Sequence, residues 1–331
     1  MRNRSIAALI AVVLAGSLIA VALVRRGDAE TDALRASPEA SVPAEVVTRY
    51  QSTAAQRQGR VVRVDYTAGS GAATIGKHAL VYLPAGYDTQ DQQRRYDILY
   101  LMHGAGMNAE SFLRGSGEPS TFKNLLDHMI EDDRMRPTIV VTPSFYPDGD
   151  ASLDLHYAGQ LDRVFPRELE DDLMPAVESR YRTFARTADA AGFTASRTHR
   201  AFGGFSMGAV TTWYVLIDSL DYFAFFMPMA GDCWVIEDSG GSGAPEQTAA
   251  RLDQAVRESG YRRDEFLITA SVGGNDGTRF QMEPQIREMR ELTGSFDTSD
   301  DGNLRYTVDP DGGHDGESVN RQFYQSMPLF F

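Results

Sequence analysis

The sequence predicts an α/β protein with a mostly parallel sheet and helices on both of its faces. Short apolar runs with strand character alternate along the chain with helical segments, and this order is typical of parallel strands joined by crossover helices. A G-x-S-x-G motif at residues 204–208 lies between one such apolar run and a helical segment, where it would form a sharp turn. The two observations together predict one large domain of this class.

The first 26 residues differ in character from the rest of the chain. Residues 6–24 carry no charge, two arginines precede them, and Arg25 and Arg26 follow. A helix of this length spans about 28 Å, close to the thickness of a bilayer core. We expect either a cleaved signal peptide, with residues 20–22 as an A-x-A cleavage site, or an uncleaved membrane anchor, which the length and the two following arginines favour. Both alternatives place the remainder of the chain outside the cytoplasm.

The remaining elements are predicted in chain order. Residues 27–59 are rich in Ala, Glu, Asp, Ser and Thr and predict a linker that is partly helical near its end, so the domain is expected to span residues 60–331. Strands are predicted at residues 60–66, 77–84, 96–102, 137–142, 200–205, 223–229, 265–271 and 303–308, the first two as an antiparallel pair. Helices are predicted at residues 121–131, 167–182, 209–220, 247–259 and 317–330. The helix at 167–182 would begin with an acidic turn, which suits the positive end of a helix.

The composition argues against several classes of function. A net charge of −14 disfavours a nucleic-acid partner, because the phosphates would be repelled. Cys233 is the only cysteine in the sequence, so no intrachain disulfide can form. Cysteines and histidines do not cluster with the spacing of metal ligands, and we expect neither a metal nor a cofactor.

Gly204, Ser206 and Gly208 carry the strongest chemical signal. A nucleophile elbow needs glycine on both sides, because a side chain there would collide with the backbone that lifts the serine into an exposed, strained conformation. A serine hydroxyl is a weak nucleophile until a base removes its proton. We therefore predict that Ser206 is a catalytic nucleophile, and not an incidental serine in a glycine-rich turn.

The candidate base and acid follow other predicted strands. His314 follows the last strand, and the five other histidines lie in ordinary elements, in a loop or in the turn at residues 103–105. Asp276 follows the penultimate strand and would fix the tautomer of the imidazole, with Asp232 as the alternative acid. The carboxyl ends of parallel strands share one edge of a sheet, so these side chains can meet. Their order along the chain, Ser, Asp, His, is that of the α/β-hydrolases.

Two backbone N–H groups are candidates for holding the oxyanion of such a reaction. Met207 directly follows the serine at a predicted helix start, and Ala105 lies in a His-Gly-Ala turn after a predicted strand. Trp234 and Tyr146 lie in loops on the same edge of the sheet and are predicted to contact substrate. For Trp234 the alternative is a packing role that pins the Gly/Ser loop after it.

Several stretches of the chain resemble the feruloyl-esterase domains of carbohydrate esterase family 1, within the wider putative-esterase group of α/β-hydrolases. The stretches are residues 203–214, 220–222, 226–229, 231–234 and 282–286, and the similarity extends over about residues 66–331. The resemblance implies an α/β-hydrolase fold and a serine esterase that removes feruloyl or acetyl groups from plant polysaccharide such as xylan. Ser206, Asp276 and His314 match the positions of the family's triad. One departure is that Asp315 and Gly316 follow His314, where aromatic residues are expected.

Two other functions stay open at the level of the sequence. The family also resembles mycolyltransferases, so acyl transfer to a sugar or lipid acceptor is an alternative to hydrolysis. A carbohydrate-binding module that kept the fold and lost turnover is another, and the complete set of Ser, Asp and His argues against it. We expect an acylated polysaccharide or oligosaccharide as partner, no nucleic acid, and membrane contact only through residues 6–24.

Overall fold

A computed structural model describes residues 44–69, 73–88, 92–115 and 117–331. The segment predicted as a signal peptide or anchor lies outside these ranges. Within them, no helix is both long enough and apolar enough to cross a membrane.

An eight-stranded sheet forms the centre of the described part of the chain. Its strands are β1 Arg60–Ala68, β2 Ile75–Leu83, β3 Asp97–Met102, β4 Thr138–Thr142, β5 Arg200–Phe205, β6 Phe225–Met229, β7 Leu267–Gly273 and β8 Leu304–Asp309. Their order in space is β1-β2-β4-β3-β5-β6-β7-β8. Strand β2 runs antiparallel to β1 and β4, and the neighbours from β4 to β8 are all parallel. The predicted α/β class with a mostly parallel sheet is confirmed.

Helices and helical turns connect the strands. They are α1 Ala44–Ser52, α2 Glu110–Leu113, α3 Thr121–Glu131, α4 Leu155–Glu168, α5 Met174–Glu178, α6 Ala190–Ala195, α7 Met207–Asp218, α8 Gly240–Gly243, α9 Pro245–Ser259, α10 Arg279–Glu291 and α11 Gly316–Ser326. A π-helical turn, Leu169–Leu173, joins α4 to α5, and 3₁₀ turns occur at Arg197–His199 and Met327–Leu329.

The burial of the strands follows their place in the sheet. Every residue of β3, β4 and β5 is buried, as expected for central parallel strands that are covered on both faces. Strand β1, at the sheet edge, shows a mixture of buried and exposed positions. This difference explains why the central strands appear in the sequence as continuous apolar runs, whereas β1 alternates.

The prediction of a helix at residues 167–182 is wrong about where the helix begins and about what its acidic residues do. The helix begins at Leu155, with Asp154 as its N-cap. The acidic run lies in the middle of the helical segment, where Glu168 binds the ammonium group of Lys77 at 2.7 Å. Because Lys77 is only 3% exposed, its charge needs a partner, and the acidic run provides one.

Helix α1 lies within residues 27–59, the segment predicted to be a partly helical linker. The ring of Tyr50 stacks on His128 of α3, with 4.7 Å between the ring centroids, and meets Tyr324 of α11 edge-on at 5.9 Å. These aromatic contacts attach the end of the predicted linker to two helices of the domain.

Candidate active site

Ser206 lies on a strained turn between β5 and α7. Its φ of +59° and ψ of −118° fall in a region that residues with side chains rarely adopt. The neighbouring backbone leaves no room for side chains at the flanking glycines. A Cβ on Gly204 would lie 2.2 Å from the carbonyl oxygen of Gly208, and a Cβ on Gly208 would lie 2.3 Å from the carbonyl oxygen of Met102. The turn therefore has the geometry of a nucleophile elbow.

Three side chains from three strand ends form one chain of hydrogen bonds. The Oγ of Ser206 lies 3.0 Å from Nε2 of His314, and Nδ1 of His314 lies 2.7 Å from Oδ2 of Asp276. An ionised carboxylate can only accept hydrogen bonds, so Nδ1 of the imidazole carries the proton and Nε2 is free to accept one from the serine. The arrangement can convert a serine hydroxyl into a nucleophile.

The environment of Asp276 keeps its carboxyl group ionised. Burial raises the pKa of Asp276, but hydrogen bonds from His314 and from the N–H and hydroxyl of Thr278 outweigh that effect and leave the pKa below its usual value. Both groups of Thr278 lie 2.8 Å from Oδ1, while Oδ2 faces the imidazole. An ionised carboxylate held in this way stabilises the imidazolium that forms when the histidine takes a proton.

The turns that carry the acid and the histidine are bonded to each other through their backbones. The N–H of Gly274 donates to the carbonyl of Asp309 at 2.7 Å, and the N–H of Asn275 donates to the carbonyl of Gly312 at 2.8 Å. The carboxylate of Asp309 also binds Arg321 of α11 at 2.8 Å. Sequence reasoning missed this support, although the Gly-Gly pairs at residues 273–274 and 312–313 mark two close backbone approaches.

The turn after β3 lies directly against the serine. A Cβ on Gly104 would lie 3.0 Å from the Cβ of Ser206. The N–H of Ala105 donates to no backbone carbonyl among the described residues, and the N–H of Met207, in the first turn of α7, has no acceptor within its own helix. Both groups are thus available to an oxyanion formed beside the serine.

His103 supports this turn and is not a candidate base. It is 1% exposed, and burial lowers its pKa to about 4, so the ring is neutral near pH 7. Its Nδ1 lies 2.8 Å from the carbonyl oxygen of Gly104, which requires the proton on Nδ1, and Nε2 then accepts from the hydroxyl of Ser144 at 2.8 Å. Ser144 is a second supporting residue that the sequence does not reveal.

Asp232, the alternative acid, serves the loop after β6. Its Oδ1 accepts from the indole N–H of Trp234 at 3.0 Å, and its Oδ2 accepts from the N–H of Gly241 at 2.7 Å. Its two oxygens are therefore engaged within that loop. Asp276 is the carboxylate that the structure brings to His314.

The two aromatic residues predicted to contact substrate are both buried. Trp234 is 7% exposed, and a Cβ on Gly159 of α4 would lie 3.0 Å from its ring. Tyr146 is fully buried, with its ring centroid 5.8 Å from that of His103. This burial favours packing roles for both rings, including the pinning role that was the alternative for Trp234.

The described ranges offer neither a cluster of metal ligands nor an activated thiol. No group of three or more His, Cys, Asp and Glu side chains in those ranges is placed to hold a metal ion. Cys233 is free and buried, and burial raises the pKa of its thiol, which makes it a poor nucleophile.

Comparison with known sequences identifies relatives of the chain. The family described as "Putative esterase" matches residues 76–326. Endo-1,4-beta-xylanase Y of Acetivibrio thermocellus is 36% identical over 276 residues, which make up 82% of this chain and 23% of that protein. The chain thus spans less than a quarter of the length of this curated relative, and 20% of the next, an endo-1,4-beta-xylanase/feruloyl esterase of Xylanibacter ruminicola.

Two solved structures are similar over most of their length. A mutant of the feruloyl esterase module from Clostridium thermocellum, complexed with sinapinate, superposes with a TM-score of 0.73 at 35% identity, covering 85% of this chain and 91% of that one. A ferulic acid esterase from the anaerobic fungus Anaeromyces mucronatus superposes with a TM-score of 0.61 at 18% identity, covering 85% and 94% of the two chains. At that identity, the fungal enzyme shows a shared fold alone.

Proposed function

The chain belongs to the family described as "Putative esterase", and from this premise we propose that it is a carboxylic ester hydrolase that removes feruloyl or acetyl groups from plant polysaccharide such as xylan. The observation that carries the proposed mechanism is the hydrogen-bonded chain from Ser206 through His314 to Asp276. The similarity to a feruloyl esterase module supports the choice of acyl group.

The first half of the reaction transfers the acyl group to the enzyme. Oγ of Ser206 attacks the ester carbonyl carbon while Nε2 of His314 takes the hydroxyl proton, and Asp276 stabilises the resulting imidazolium. The carbonyl electron pair moves onto oxygen, where the N–H groups of Met207 and Ala105 hold the negative charge. The tetrahedral intermediate then collapses, the imidazolium gives its proton to the leaving alcohol, and an acyl-serine remains.

The second half of the reaction returns the serine to its free form. A water molecule loses a proton to His314 and attacks the acyl carbon, and the same N–H groups hold the second oxyanion. Its collapse releases the carboxylic acid and reprotonates Ser206. The side chain of His314 is 38% exposed, so a water molecule can approach the base.

The location of the domain forms part of the proposal. Residues 6–24 carry no charge and are flanked by arginines, which supports export of residues 60–331 behind a signal peptide or an anchor at residues 1–26 and a linker at residues 27–59. Fractionation of the producing cells, with N-terminal sequencing of the exported protein, distinguishes cleavage from anchoring. Recovery of all the protein in the cytoplasm would contradict both alternatives.

A hydrolysis panel tests the proposed substrate class. Methyl ferulate, acetylated xylan and an aryl acetate are incubated with the purified protein and with its Ser206→Ala variant, and the released acid is quantified. We expect release from a feruloyl or acetyl-xylan substrate by the natural sequence only. Transfer of the acyl group to a sugar acceptor without acid release would assign an acyltransferase, and xylan binding without turnover would assign a binding module.

A further inference from the structure

Leu153 is the most exposed large apolar side chain in the described part of the chain, at 80%. Leu155, two residues later, is 50% exposed. Exposed leucines are ordinary on protein surfaces, so exposure by itself assigns no role. Leu153 lies between β4 and α4, and Leu155 is the first residue of α4. Both lie at the edge of the sheet where Ser206 is found.

Leu153 is held against the turn that carries Ala105. A Cβ on Gly106 would lie 2.5 Å from Cδ2 of Leu153. The N–H of Gly106 donates to the carbonyl of Ser152 at 2.9 Å, and the hydroxyl of Tyr146 donates to the same carbonyl. An exposed leucine is therefore fixed in position beside the proposed oxyanion site by the residue before it.

The strand order places Leu153 and His314 on opposite sides of the serine. Ser206 follows β5, Leu153 follows β4 on one side of it, and His314 follows β8 on the other. In the proposed mechanism the leaving alcohol must lie near His314, because the imidazolium protonates it. The tetrahedral carbon is bonded to Oγ of Ser206, to the leaving oxygen, to the oxyanion and to the acyl chain. With the leaving oxygen at His314 and the oxyanion at the N–H groups, the acyl chain extends away from His314.

We propose that Leu153 is a specificity-determining residue that contacts the apolar part of the acyl group, with Leu155 extending the same surface. This inference rests on the proposed ester hydrolysis at Ser206. It assigns the site to uncharged apolar acyl groups longer than acetyl, such as an aromatic cinnamoyl-type group. An acetyl group has one methyl beyond its carbonyl and gains little from such a contact.

The test compares two acyl groups on one leaving group. The kcat/KM values for p-nitrophenyl ferulate and p-nitrophenyl acetate are measured for the full chain and for Leu153→Ala. The ferulate-to-acetate ratio should fall about five- to tenfold, the scale expected when one apolar contact of a leucine is removed. The thermal unfolding midpoint should stay unchanged, because the side chain is 80% exposed.

Val164→Ala is the matched control. Val164 is 61% exposed on α4, the helix that follows Leu153, and it lies in a surface depression shared with Asp218, at the far end of α7 from the serine. Its ferulate-to-acetate ratio should equal that of the natural sequence. An equal loss on both esters for Leu153→Ala, or no loss on either, would overturn the inference. The inference would also be overturned if Leu153→Ala changed only the preference for the alcohol, measured as the ratio of kcat/KM for methyl ferulate to that for a feruloylated arabinose.

Failure of the proposed substrate can be told apart from failure of this inference. If the natural sequence hydrolyses p-nitrophenyl acetate and octanoate but no aromatic ester, the feruloyl proposal is wrong. The octanoate-to-acetate ratio then tests Leu153 in the same way. A selective fall of that ratio in Leu153→Ala supports the acyl contact, and an unchanged ratio refutes it.

Discussion

Lowering the pH from 7 to 4.5 should destabilise the fold through His103, the buried histidine of the turn that carries Ala105. Burial lowers the pKa of His103 from 6.5 to about 4 in the folded protein. Between these two values the unfolded chain binds more protons than the folded one, so the free energy of unfolding rises with pH across this window. The stabilisation is complete above pH 6.5 and is lost as the pH falls towards 4.

The size of the effect follows from the separation of the two pKa values. One pKa unit corresponds to about 1.4 kcal/mol, so a shift from 6.5 to about 4 changes the free energy of unfolding by about 3.5 kcal/mol in total, of which about 2.5 kcal/mol is lost by pH 4.5. The ring is 1% exposed, so solvent screens this contribution little. A loss of this size is a large fraction of the stability of an ordinary domain.

His103→Asn removes the titrating ring and keeps an N–H donor for the carbonyl of Gly104. At neutral pH the variant should be less stable by about 1–3 kcal/mol, because the hydroxyl of Ser144 loses its acceptor. The difference between the natural sequence and the variant should shrink by about 2.5 kcal/mol between pH 7 and pH 4.5. Urea unfolding at several pH values, followed by the fluorescence of the two buried tryptophans, measures this change.

His156→Asn provides a control with the opposite sign. His156 lies on the surface, and its hydrogen bond to Asp238 raises its pKa, so any stabilisation from this pair is present at low pH and lost as the pH rises. The His156→Asn variant should therefore lose at least as much unfolding free energy between pH 7 and pH 4.5 as the natural sequence does. If His103→Asn loses stability with acid as steeply as the natural sequence does, the neutral buried imidazole is not the source.

The other predictions concern the elbow and the two carboxylates. Ser206→Ala should reduce hydrolysis by on the order of 10⁴ to 10⁶ with the circular dichroism unchanged; more than about a tenth of the activity remaining would place the nucleophile elsewhere. Asp276→Asn should lower kcat by about 10⁴, whereas Asp232→Asn should mainly lower the melting temperature, and the reverse ranking would reassign the acid. Gly208→Ala should prevent soluble expression, because its Cβ would lie 2.3 Å from a carbonyl oxygen. A Cβ on Gly277 has nothing within 4 Å, so Gly277→Ala should be tolerated. Equal yields of the two variants would refute the predicted clash at Gly208.

The sequence by itself determined the elements whose signals are local. The strand at residues 200–205 was predicted with the bounds of β5, and the helix at residues 121–131 with the bounds of α3. An apolar run between polar segments, or helical periodicity, acts through neighbours in the chain. The glycines of the elbow are local only in part. A Cβ on Gly204 would collide with Gly208, whereas a Cβ on Gly208 would collide with the carbonyl of Met102, which lies on β3 and far away in the sequence.

Local signals were weaker where proline interrupts a helix. Helix α10, at residues 279–291, was not predicted, and it contains Pro284 in its interior. Helix α4 was predicted to start 12 residues too late, and it contains Pro166 near its end, just before the π-helical turn. Proline removes a backbone donor and disfavours helix locally, and packing on the rest of the domain overrides that preference here.

Only the tertiary structure decided which strand ends meet and which way their side chains point. Asp232 and Asp276 both follow parallel strands on the same edge, and by sequence each was able to face His314. Asp232 turns to Trp234 instead, and Asp276 reaches the histidine because the backbones of its turn and of the turn at residues 309–314 are bonded to each other. The direction of a side chain at a strand end depends on loops that arrive from distant parts of the chain, so the contacts of Asp276 and Leu153, and the burial of Trp234, emerge only when those loops are packed together.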